Sequence, residues 1–183
     1  MNTSVTRPPS ALVVPAVVAA VLGAAAGLLW GLTVPGVRGL VTPEGDVLFR
    51  DGQLDNFFVA TTAFAGISLA GGLLTAGFVF RGRLRDPSGV GVTLVAATIG
   101  VVLAVLLGQA VVNARFTGPA AAGLDFTAAP AIRLDGANLI APANHPGGVV
   151  GELSAWVLVL VWPGAAAFWC TAVSLFGRLP DEA

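Results

Sequence analysis

FFVATTAFAGISLAGGLLTAGFVF, residues 57–80, runs for some two dozen positions without one Asp, Glu, Lys, Arg or His. An α-helix rises about 1.5 Å per residue, so the stretch crosses a hydrocarbon core of about 30 Å with length to spare for tilt. That layer holds no water to bond the backbone, and a helix satisfies its N–H and C=O groups internally. The stretch reads as a transmembrane helix. The same test picks out residues 11–34, 90–112 and 153–176, each again free of ionisable side chains. With 56% hydrophobic and 10% charged residues and a mean hydropathy of +0.87, the chain lies far from the balance of a soluble domain.

The fold expected over residues 1–183 is a single all-α membrane domain. It is a four-helix transmembrane bundle, with loops at 35–56 and 113–152 forming a small extracytoplasmic cap of loops and β-hairpins. The small residues of AAVLGAAAG, 19–27, suit a signal-peptidase site, but the apolar run is long for a signal peptide and three spans follow it.

Orientation follows from arginine, because short cytoplasmic loops retain positive charge. The link RGRLRDPSG between spans two and three carries Arg81, Arg83 and Arg85, and Arg7 and Arg178 fall on the same side. The opposite loops hold Arg38, Arg50, Arg115 and Arg133 together with seven acids: Glu44, Asp46, Asp51, Asp55, Asp125, Asp135 and Glu152. This predicts an inner (plasma) membrane protein with both termini cytoplasmic. All nine basic residues are arginines against ten acids, so no basic surface is available and nucleic acid is excluded as a partner. The single cysteine, Cys170, rules out an intramolecular disulfide.

In the first outer loop, β-prone runs at 40–42 and 47–49 flank a Pro-Glu-Gly-Asp turn. In the second, runs at 132–134 and 137–140 flank Asp135-Gly136, a dipeptide suited to type I′ turns. A lone hairpin is marginal in water, so a stable cap needs both hairpins or a partner chain; the alternative is a flexible loop rich in Pro, Gly and Ala. Asp51 and Asp55 lie just before span two. Asp55 with Asn56 reads as the helix cap, and Asp51 as a loop acid within reach of Arg50 or Arg38.

Small residues recur every fourth position in three spans: Gly23, Gly27 and Gly31; Ser68, Gly72 and Ala76; Gly100, Ala104 and Gly108. Such ladders let helices approach backbone to backbone, either within the bundle or against another protein. Trp30 and Trp156, near the outer ends of spans one and four, read as headgroup anchors. Trp162 and Trp169 share one face of span four, facing the core or lipid, or contacting a lipid substrate or quinone.

The polar residues Gln109 and Asn113 fit helix-to-helix hydrogen bonding, with a transport site as the alternative. His145, the only histidine, cannot build a histidine-rich metal centre, and no catalytic or nucleotide-binding motif is present. Neither a metal nor a cofactor is expected, and the chain is not read as an enzyme. The possible ligand or partner contacts are Asp51, Asp55, Gln109, Asn113, Trp156 and His145.

Three segments also carry a family resemblance: AAAGLLWGLTVPGVRGLV closing span one, DNFFVATTAFAGISLAGGLL opening span two, and the basic link RGRLR before a long third loop. In these the chain resembles an uncharacterised family of actinobacterial integral membrane proteins, domain of unknown function twenty-five sixty-seven. The resemblance implies an envelope location and no mechanism. The functional expectation is a non-catalytic accessory or scaffold subunit of a larger bacterial inner-membrane assembly, with the lipid bilayer and a membrane protein as partners. The alternative is a transport or lipid-handling protein with a cavity between spans three and four. An envelope enzyme using His145 ranks last.

Overall fold

The computed structural model describes residues 10–43, 46–49, 52–118, 125–128, 132 and 157–176. In chain order the elements are α1 (Ser10–Thr33), β1 (Val37–Val41), β2 (Val47–Phe49), α2 (Leu54–Val79), a 3-10 turn (Gly82–Leu84), α3 (Pro87–Arg115), β3 (Asp125–Ala128) and α4 (Val157–Phe176). All four helices are long and apolar enough to cross a membrane. The protein is a multi-pass, all-α membrane bundle with a small sheet at one end.

Two helices outrun their apolar stretches because polar residues start or finish them. Asp86 caps α3: its carboxylate accepts from the Gly89 N–H at 2.6 Å, and Pro87 takes the first helical position, where a missing N–H costs nothing. α2 begins at Leu54 with Gln53 as its N-cap, and no side-chain cap bond is made there. Asp55 is therefore not the cap expected of it. It sits in the first turn, exposed, where its charge complements the positive end of the helix. Asp51 lies outside the described residues.

α1 packs chiefly on α3, and α2 chiefly on α4, with α1 and α4 at opposite corners. The α1–α3 seam is where two ladders meet. A Cβ on Gly27 would stand 2.6 Å from the Ala104 carbonyl oxygen, one on Gly23 would run into the Gly100 carbonyl, and one on Gly31 would lie 2.8 Å from Val111 Cβ. From the other side, Gly108 leaves room for Trp30, whose Cε3 would be 2.9 Å from an added Cβ. Hydrocarbon provides no hydrophobic drive between helices, so this close backbone approach, with its dispersion contacts, supplies much of the cohesion. The ladders of spans one and three are thus engaged inside the chain.

On the α2–α4 side the key residue is Trp162. Its indole is fully buried, covers Gly71 and reaches Gly100 of α3, where an added Cβ would lie 3.1 Å from Cζ2. The indole Nε1 donates to Thr75 Oγ1 at 3.1 Å, and Thr75 Oγ1 donates to the Gly71 carbonyl at 2.8 Å, so the polar edge is satisfied without water. Gly72 meets the Trp162 backbone and Ala165, and Ala76 is buried one turn further. Ser68, fully buried on the same helix, has a hydroxyl without a partner among the described residues. Trp169 is 39% exposed, so the two indoles of α4 divide between the core and the outer surface.

Trp30 is a correction. Expected as a headgroup anchor, it is fully buried, donates Nε1 to the Ala60 carbonyl at 2.9 Å and meets Phe64 edge-on, with ring centroids 5.6 Å apart. The neighbouring helix supplies both the apolar ring and the acceptor that an indole otherwise seeks at the interface. Trp156 lies outside the described residues.

The sheet has three antiparallel strands in the order β2-β1-β3. The expected first hairpin is present, with β1 starting earlier, at Val37, and pairing Leu40 with Leu48. Its turn is held by Thr42, whose Oγ1 accepts from the Asp46 N–H at 3.0 Å while its own N–H donates to the Asp46 carbonyl at 2.8 Å. The third strand comes from DFTA, 125–128, which pairs Arg38 with Thr127 and lays Phe126 over Gly39. The hairpin expected around Asp135-Gly136 lies outside the described residues.

Candidate functional site

The last carbonyls of an α-helix lack intrahelical donors. At the end of α1 they are met from another helix: Arg115, in the last turn of α3, donates through Nη1 to the carbonyls of Gly31 and Val34, the latter at 3.3 Å. Its guanidinium carbon lies 4.8 Å from the centroid of the Phe116 ring. A cation against the negative end of a helix is favourable, so Arg115 ties α3 to α1 where both leave the bundle.

From there the chain turns through Pro35 and Gly36 into β1. Pairing with β2 stops at Gly39, so the Arg38 N–H lies beyond the last strand partner on that side. Gln53 supplies the missing acceptor, its Oε1 taking the Arg38 N–H at 3.0 Å. Asn56, in the first turn of α2, donates Nδ2 to the Gly36 carbonyl at 3.0 Å and to Gln53 Oε1 at 3.3 Å. Two side-chain amides therefore clamp the start of α2 to the start of the sheet.

Between these ties opens a polar cleft of about 600 Å³ lined by Arg38, Gln53, Asn56, Arg115, Thr117 and Thr127, with Pro35, Gly36 and Phe116 beneath. No acid is among its described lining residues. An adjoining hollow of about 310 Å³ shares Arg38, Thr117 and Thr127 and adds Asp125. Away from this end, the cavities on α1 and α3 are apolar: one of about 380 Å³ is lined by Leu12, Pro15, Val92, Val95, Ala96 and Ile99. Leu12, Val95 and Ile99 of that groove are exposed on the outer surface of the bundle.

Of the contacts expected from sequence, Asp55, Gln109 and Asn113 are among the described residues, and none of the three lines the cleft. Among the described residues, Gln109 and Asn113 do not bridge two spans. Gln109 Nε2 donates to Asn113 Oδ1 at 2.9 Å along α3 itself, and Gln109 Oε1 accepts from the Ile132 N–H at 3.2 Å. This pins the buried Ile132 onto α3, because a loop N–H facing a helix surface needs an acceptor there. His145 lies outside the described residues, as Asp51 and Trp156 do. At mid-depth, Trp162 fills the contact between spans three and four beside Gly100.

In the sequence Arg38 and Arg115 read as orientation signals, Arg38 also as a possible partner of Asp51, and Asn56 as part of a helix cap, and none of these readings brings them together. A signal for the two arginines was present: each stands a few residues past an uncharged span, and those two spans end on the same side. Among the described residues no group of three His, Cys, Asp or Glu side chains is placed to hold a metal. No family model, curated protein or solved structure matches the chain.

Proposed function

We propose that the protein is a non-catalytic accessory or scaffold subunit of a larger assembly in a bacterial inner membrane, working through its sheet-bearing end. The observation that carries this reading is the filled interior. Trp30 and Trp162 occupy the helix interfaces with their N–H groups satisfied, and glycine ladders close α1 on α3. Polar side chains instead gather where the helices meet the sheet. Because the ladders are used within the chain, a partner meets other surfaces. Affinity purification of the tagged protein from its own membranes, followed by mass spectrometry, is expected to return one partner in stoichiometric amount. Recovery of the chain alone with bound lipid would replace this reading with a lipid-handling one.

The proposed orientation puts the α2–α3 link in the cytoplasm and the sheet outside. Arg81, Arg83 and Arg85 sit around the 3-10 turn of that link, with the Arg81 guanidinium 5.0 Å from the Phe78 ring centroid. Cysteines at the exposed positions Ser88 and Asp46, on a Cys170→Ala background, test it. A membrane-impermeant maleimide applied to intact cells is expected to label Asp46→Cys and to spare Ser88→Cys; the reverse pattern inverts the topology.

A further inference from the structure

We infer that the two-arginine cleft is a binding site for a phosphate-bearing anion at the membrane surface. The cleft lies where α1 ends, α2 begins and α3 ends, which for helices of this length is the depth of the lipid headgroups. Its wall is rich in donors. A guanidinium has five N–H donors, and Arg115 uses Nη1 on the Gly31 and Val34 carbonyls, while its Nε and Nη2 meet no acceptor among the described residues.

Gln53 is oriented by the two donors on its Oε1, which leaves its Nε2 as a donor with no acceptor among the described residues. Arg38 and Thr127 are directly opposed across β1 and β3, so their side chains stand on one face of the sheet. The Thr117 hydroxyl adds a further polar group to the lining.

Two guanidinium groups with amide and hydroxyl donors, and no carboxylate among the described residues lining the cleft, Asp125 lining the adjoining hollow, call for an anion with several acceptor oxygens. A phosphate answers that better than a carboxylate, because its oxygens accept from both forks at once. At about 600 Å³ the cleft also has room for the ester substituent that phosphate carries. The source is either an anionic phospholipid headgroup or a soluble phosphate ester. The site does not depend on the accessory reading, since a lone protein would bind the same group.

The test uses the full-length protein in neutral detergent, with native mass spectrometry and thermal melting as readouts. The probes are phosphatidylglycerol, phosphatidylcholine and glycerol 3-phosphate. Selective retention of phosphatidylglycerol over phosphatidylcholine identifies a lipid source, and protection by glycerol 3-phosphate alone identifies a soluble one. In either case Arg38→Gln is expected to weaken binding about tenfold or more, the loss of one charged hydrogen-bonding group. Thr127→Val, on the same sheet face, is expected to weaken it less, and it serves should Arg38→Gln fail to fold. Equal retention of the two lipids without protection by glycerol 3-phosphate, no response to any probe, or unchanged binding in both variants overturns the site.

Discussion

Gly27→Leu is expected to force α1 off α3 and to lower the stability of the bundle by about 3 kcal/mol or more, the upper part of the range for overpacking. The new Cβ would stand 2.6 Å from the Ala104 carbonyl oxygen, and the obstacle is backbone, which cannot rotate away as a side-chain tip would. Leucine is the better helix former by roughly 0.8 kcal/mol, so the loss cannot be blamed on propensity within α1. The effect should also spread. Separating the helices at Gly27 loosens Gly108 from Trp30 one turn on, and with it the indole bond to Ala60. Thermal melting in detergent, followed by tryptophan fluorescence, reads the change directly. Gly77→Ala is the control, because nothing lies within 4 Å of its added Cβ. A Gly27→Leu protein that melts with the wild type would mean that α1 and α3 do not meet along this seam.

Trp162→Ala should be the other large loss, on the order of 3 to 5 kcal/mol for emptying a fully enclosed aromatic site. The indole is shared by α2, α3 and α4 and stands over Gly71 and Gly100, so no single helix can shift to refill the space. Trp162→Phe separates volume from hydrogen bonding. It keeps most of the ring but removes the donor to Thr75 Oγ1, for an expected loss of about 1 to 2 kcal/mol. Thr75 keeps its own bond to the Gly71 carbonyl, which limits the damage. Were the alanine variant no worse than the phenylalanine one in the same melting assay, the indole would be filling no essential space.

The two tryptophan outcomes show where sequence reasoning reaches and where it stops. Trp30 stands at the end of an apolar span, and position along the chain points to the headgroups. What buries it is Phe64 and the Ala60 carbonyl, on a helix whose placement beside α1 is not written in α1 itself. Gln109 and Asn113 follow the same pattern. Their polarity and spacing were plain, but among the described residues their partners are each other and the Ile132 N–H rather than a second span. Asp55 stands near a helix start, as its place before span two implies, yet the helix begins at Leu54, and Gln53 and Asn56 tie that start to Arg38 and Gly36.

The four spans were determined by the sequence alone, because the demand behind them is local: a run without ionisable groups, long enough to cross hydrocarbon, must satisfy its own backbone and so must be helical. The first hairpin was legible for a similar reason, since turn chemistry and alternation act within a few residues. The glycine ladders were visible as a pattern, and only the tertiary structure showed which helix each one faces. The cleft was decided there entirely. Arg38, Arg115 and the Gln53–Asn56 pair at the start of α2 come from three separate elements, and they meet because α1 and α3 are locked by the close backbone approach at Gly23, Gly27 and Gly31. That contact depends on three-dimensional complementarity between distant segments, a property that no single stretch of sequence contains.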